Sequence, residues 1–158
     1  MILNKSFTLI EATVAIFLLT VGIVGAFSLI QRTTAFSSIS SSQLVATYLA
    51  QEGIEVIRNI RDTNYLQGNN WYDGIGFFSS YKLDYQSSFF PDTTCGGDYL
   101  KYDGNFYVCS PDDDAKFQRE ITITNPEPDK MVVSVTVSFY ERGREHQVTA
   151  QTEFYHWR

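Results

Sequence analysis

The sequence predicts an α+β protein. One long N-terminal helix, apolar in its first half and amphipathic in its second, should precede an antiparallel β-sheet head. Three observations carry that expectation. From Ala12 to Ile30 there is no charged side chain, and roughly 19 helical residues suffice to cross a hydrocarbon core of about 30 Å. No proline occurs before Pro91, and apolar residues recur at helical spacing as far as Ile60. The last third alternates apolar and polar residues with a period of two, as strands that bury one face do.

With 158 residues, the chain is long enough for one compact domain besides the membrane-length segment. The expected divisions are a leader over 1–6, a transmembrane and polymerisation half-helix over 7–30, an amphipathic half-helix over 31–62, and a loop-rich β head over 63–158. The formal net charge of -6 repels phosphate backbones and anionic lipid surfaces at long range, which argues against non-specific nucleic-acid binding.

Taken in order, the first element is the apolar helix. Lys5 precedes it and Glu11 lies inside it, where an ionised carboxylate is costly unless it finds a partner. Gly22 and Gly25 sit among Val, Ile, Leu and Phe; such small residues let helices approach closely in lipid, so packing against other helices is expected. A secretory signal peptide is the competing reading, with Lys5 as its positive region and Val24-Gly25-Ala26 as a small-residue cleavage site. Two features weigh against it. A discarded peptide needs no acid in its apolar run, and the periodicity continues past Ala26 through Phe27, Leu29 and Ile30.

Lys5-Ser6 followed by Phe7-Thr8-Leu9-Ile10-Glu11 and an apolar helix resembles the prepilin motif of type IV pilins and type II secretion pseudopilins. The family usually has Gly where this chain has Ser6, another small residue. The resemblance implies cleavage between Ser6 and Phe7 by a prepilin peptidase and N-methylation of Phe7. It also implies single-pass insertion in the inner (cytoplasmic) membrane. An inner-membrane platform would then assemble the chain with other pilin subunits into an extracellular or periplasmic filament. Within such a filament Glu11 would stack near the Phe7 amine of a neighbour, an opposite charge that offsets burial and sets registry. The alternative for Glu11 is a place at the cytoplasmic interface with its carboxylate reaching water. The stretch Ala50-Gln51-Glu52-Gly53-Ile54-Glu55, with Arg58 and Arg61, is most similar to minor pilins and minor pseudopilins.

In the second half of the helix, Ser37-Ser38-Ile39-Ser40-Ser41-Ser42 has weak helix propensity and is expected to fray or bend. An apolar stripe then resumes at Val45, Leu49, Val56 and Ile60, flanked by Ala46, Tyr48, Ala50 and Ile57. Thr47, Gln51, Arg58 and Arg61 are read as lying opposite, with the two arginines near the negative end of the helix dipole. The helix should end shortly after Asp62, which makes it roughly 80 Å long from Phe7. Glu52 falls within the stripe, either touching a neighbouring subunit or reaching water beside Asn59.

Residues 67–91 read as loop-rich. Trp71, Tyr72, Phe77, Phe78, Tyr81, Phe89 and Phe90 crowd this region, as core or as contact surface. Asp103-Gly104 between Tyr99–Tyr102 and Asn105–Val108 predicts a hairpin with positive φ at both turn positions. That hairpin would bring Cys109 towards Cys95. In an oxidising compartment the two would pair, closing a loop worth about 3 kcal/mol in the chain-entropy model; the other reading is two free buried thiols.

Three antiparallel strands are expected over Lys116–Thr124, Met131–Glu141 and Arg144–Trp157, with Pro126 and Pro128 marking the first connection. A turn at Arg142-Gly143 would set Phe139 opposite His146, Val137 opposite Val148, Val135 opposite Ala150, Val133 opposite Thr152 and Met131 opposite Phe154. The remaining pairs, from Tyr140/Glu145 to Ser134/Gln151, would form a polar face.

No catalytic motif, cofactor loop or metal-ligand spacing is present. His146 and His156 read as structural. Asp112-Asp113-Asp114 lacks the spacing of a calcium loop and reads as a solvated turn. The expected role is therefore a non-enzymatic filament subunit. Two alternatives remain: an uncleaved single-pass membrane-anchored extracytoplasmic binding domain, and a secreted domain freed after Ala26.

Overall fold

The computed structural model describes residues 8–77, 79–81, 83, 85, 99–111 and 115–156. By contacts the chain divides into two units, Met1–Ser40 and Ser41–Arg158. One helix, α1 (Leu9–Leu66), precedes six strands: β1 (Ser79–Tyr81), β2 (Tyr99–Tyr102), β3 (Tyr107–Ser110), β4 (Phe117–Glu127), β5 (Lys130–Glu141) and β6 (Arg144–Tyr155). The strands form a single antiparallel sheet in the order β3-β2-β4-β5-β6. On the β2 side of β4, β1 pairs Ile121–Ile123, beyond the short stretch that β2 occupies.

The helix opens on Thr8, whose carbonyl accepts from the Glu11 and Ala12 amides at 3.1 and 3.2 Å. It stays helical through the serine run, so the expected fraying is absent; neighbouring turns on both sides supply the cooperativity that serines lack. It ends at Leu66 rather than just after Asp62 because Gly68, at φ 75°, supplies the left-handed residue that closes a helix. There Asn69 N–H donates to Asn64 O at 3.0 Å and Gly68 N–H to Tyr65 O at 3.1 Å, the paired bonds of a glycine C-terminal cap.

In the second unit, α1 buries Ala46, Leu49, Ala50, Gly53, Val56, Ile57 and Ile60. They pack on Ile121 and Ile123 of β4 and on Met131, Val133, Val135, Val137 and Phe139 of β5. The line of closest approach runs through the small residues. A Cβ on Gly53 would lie 2.9 Å from Val135 Cγ1 and 3.3 Å from Arg119 Cδ, so the backbone of α1 comes nearer the sheet there than any larger residue allows. Of the expected stripe Leu49, Val56 and Ile60 are buried and Val45 is half-buried, whereas the flanking Tyr48 is 62% exposed and Arg61, expected on the outer side, is buried. With the helix running on to Leu66, no basic residue lies in its last turn. Arg61 instead binds Asp62 and covers the Phe154 ring at 4.6 Å, while Arg58 pairs with Glu55.

Every expected β5–β6 pair is present, within a ladder that runs from Lys130↔Tyr155 to Glu141↔Arg144. Arg142 and Gly143, at φ 53° and 73°, form the two-residue turn that matches strand twist. The β2–β3 hairpin is also present, but Tyr102 pairs with Tyr107, which leaves four residues in its loop instead of two. The reason is local. Asp103 stays out of the left-handed region and turns its carboxylate back to accept from Asn105 and Phe106 N–H, both at 2.8 Å, so only Gly104 takes positive φ. β4 extends through Pro126 to Glu127, with a register shift after Thr124 that accommodates the missing proline N–H.

Candidate functional site: an exposed apolar helix

From Leu9 to Thr34 every residue of α1 is exposed. An 18-residue window of this helix has mean hydropathy 2.4 and none of it is buried. By length and composition it is able to cross a membrane. Leu18, Leu19, Phe27 and Leu29 are each more than 60% exposed, and apolar surface in water is unfavourable by about 25 cal/mol per Å². Lipid, or other apolar helices, is the medium that suits it.

Four threonine hydroxyls along the rod are satisfied within it. Thr13 and Thr20 hydroxyls donate to the carbonyls of Ile10 and Phe17 at 2.9 and 2.8 Å. Thr33 and Thr34 donate to Leu29 and Ile30, both at 3.0 Å. Glu11 differs from these: its carboxylate stands in the first turn with no ion pair among the described residues. Its amide donates to the Thr8 hydroxyl at 3.4 Å, and the positive end of the helix dipole favours an acid there. The Thr8-x-x-Glu11 spacing is a capping signal that reading Glu11 as a registry charge alone passes over. A Cβ on Gly22 or Gly25 would meet nothing within 4 Å, so both glycines leave open notches on the helix surface. Ser6 and Phe7, the expected processing junction, lie outside the described residues.

In the head, Cys109 is half-buried on β3 and is not a free thiol; Cys95 lies outside the described residues, as do Asp112–Asp114, Phe78, Phe89 and Phe90. Trp71 is buried, Phe77 and Tyr81 are half-buried against the core, and Tyr72 is 38% exposed. His146 stacks on Phe139 with ring centroids 5.3 Å apart. His156 sits against Trp71 at 5.9 Å and faces Asp129 at 3.9 Å.

Glu52 neither faces only water nor waits for a neighbour: it meets Arg119 at 2.8 Å. Arg119 also donates to the carbonyls of Leu49 and Leu83 and is 3% exposed. Its inward position was legible in the alternation Phe117-Arg119-Ile121-Ile123, but a charge in that row conflicts with burial until Glu52 is placed above it. Just before β4, Lys116 bridges Ser42 of α1 and Glu141 of β5, at 2.7 and 2.5 Å. On the outer face Glu153 binds Lys130 and Tyr155. These bonds hold its carboxyl below the usual range, the lysine being the larger cause, and they raise both partners. Among the described residues no group of three His, Cys, Asp or Glu side chains gathers to hold a metal ion. In comparisons with known proteins, no family model, no curated protein and no solved structure matches the chain.

Proposed function

We propose that the chain is a non-enzymatic structural subunit, of the minor pilin or minor pseudopilin kind, of a type IV pilus or type II secretion-like filament. The observation that carries this reading is a fully exposed apolar helix bearing one acid near its start, continuous in sequence with a helix packed on an antiparallel sheet. In this reading prepilin peptidase cuts between Ser6 and Phe7 and the new Phe7 amine is methylated. The subunit waits in the inner membrane until the assembly platform draws it into a filament. Glu11 then meets the amine of a neighbour, and Gly22 and Gly25 admit adjoining helices. In the oxidising compartment outside, Cys109 pairs with Cys95, the other cysteine of the chain.

N-terminal mass spectrometry of protein extracted from membranes tests the proposal. The expected product begins at N-methylated Phe7. An intact Met1 identifies an uncleaved anchor, and a start at Phe27 identifies a secreted domain; either result overturns the filament reading.

A further inference from the structure

On the face of the sheet turned away from α1, directly opposed residues form a row across four strands: Tyr99 of β2, Gln118 of β4, Ser138 of β5 and Gln147 of β6. Tyr140, two residues along β5 from Ser138, stands on the same face and is 67% exposed. Both tyrosines, with Gln118 and Ser138, line a cleft of about 280 Å³. That is the small end of the range for small-molecule sites, with room for a ring rather than a folded partner. Polar groups in it are unspent. Ser138 donates to Gln118 Oε1 at only 3.5 Å, and among the described residues the Gln118 amide nitrogen and the hydroxyls of Tyr99 and Tyr140 have no partner.

We propose that this cleft binds one ring of an uncharged saccharide. The inference stands on the head alone and does not depend on the filament reading. A pyranose has an apolar C–H face and a rim of hydroxyls, each both donor and acceptor. Tyr140 and Tyr99 supply the matching ring faces with a polar tip. The Gln118 amide and the Ser138 hydroxyl between them offer donors and acceptors in the same small area, so a sugar hydroxyl finds either kind.

Other ligand classes fit less well. A purely apolar ligand would strand the amide and hydroxyl at a cost. An added peptide strand needs unpaired backbone, whereas Tyr99, Gln118 and Ser138 are all paired across β2, β4 and β5. Anionic sugars and phosphates need a spare cation. Lys116, which also lines the cleft, is held by Glu141 and Ser42, and Lys101, two residues along β2 from Tyr99, has interactions of its own. Glu120 beside Gln118 and Glu145 opposite Tyr140 are both exposed on this face, and their charge repels anions.

Isothermal titration of the full chain in a zwitterionic, sugar-free detergent tests this with cellotriose, maltotriose and N-acetylchitotriose, and with trigalacturonate as the anionic counterpart. At least one of the three neutral chains should bind, and trigalacturonate should bind at least tenfold more weakly than it. Tyr140→Ala and Gln118→Ala should each weaken that binding about tenfold, the worth of one good contact, while keeping the wild-type urea midpoint. Tyr155→Ala, which removes an exposed tyrosine from the far end of the same face, should leave it unchanged. No binding of any neutral chain at millimolar concentration overturns the proposal. So does binding that Tyr140→Ala leaves intact, or equal binding of trigalacturonate.

Discussion

Two carboxylates on α1 do different work. Glu52 neutralises an arginine whose side chain is 1% exposed, whereas Glu11 has no such counter-charge among the described residues. Removing Glu52 strands a buried cation, so Glu52→Ala should destabilise the head by about 3 kcal/mol. Arg119→Met removes the charge itself and leaves a carboxylate that water reaches, so it should cost less; urea denaturation of the two variants gives the order, and the reverse order would refute the pairing. At Glu11 the expected effect is on assembly. Glu11→Ala should insert in membranes normally yet be depleted from sheared filaments on immunoblots, and wild-type levels there would count against a registry role.

The strands were more legible than the helix, for a physical reason. Alternation with period two and a turn that fixes register leave little freedom, and the β5–β6 pairing follows pair for pair. In α1 the stripe residues Leu49, Val56 and Ile60 are buried as expected, but hydrophobicity alone signals neither the close approach at Gly53 nor the burial of Arg61. Gly68 was the missed stop signal. In the β2–β3 hairpin, Asp103-Gly104 marked the right place but the wrong loop, because the aspartate bonds its own backbone instead of adopting positive φ. Those amides, Phe106 first and Asn105 next, hold the Asp103 carboxyl below its ordinary value. A lowered folded-state value means that the stabilisation is present above the unfolded-state value and lost as pH falls through the folded one. The stability difference between wild type and Asp103→Ala, measured by urea titration, should stay constant from neutral pH down to the ordinary aspartate range and shrink below it. A difference that grows on acidification would contradict this assignment.

At the scale of the molecule, the two units have opposite solvent needs: one exposes leucine, isoleucine and phenylalanine along its length, while the other closes a core. The full chain should partition into the detergent phase on warming Triton X-114, and a variant lacking residues 1–34 should move to the aqueous phase with its sheet signature in circular dichroism retained. Aqueous partition of the full chain would remove the membrane from the account. That a long helix precedes an antiparallel sheet was legible from hydropathy and alternation; the way Arg119 joins α1 to the sheet was not, since it depends on residues 67 positions apart meeting.

The threonines of the apolar rod have a mechanical consequence. With Thr13 and Thr20 hydroxyls bonded inward to their own carbonyls, the rod offers neighbours an oily surface notched at Gly22 and Gly25, and turning it about its axis breaks no hydrogen bond at these threonines. A cable spun from such rods would resist slippage along its length at Glu11 yet yield readily to torsion, twisting under load before its strands part.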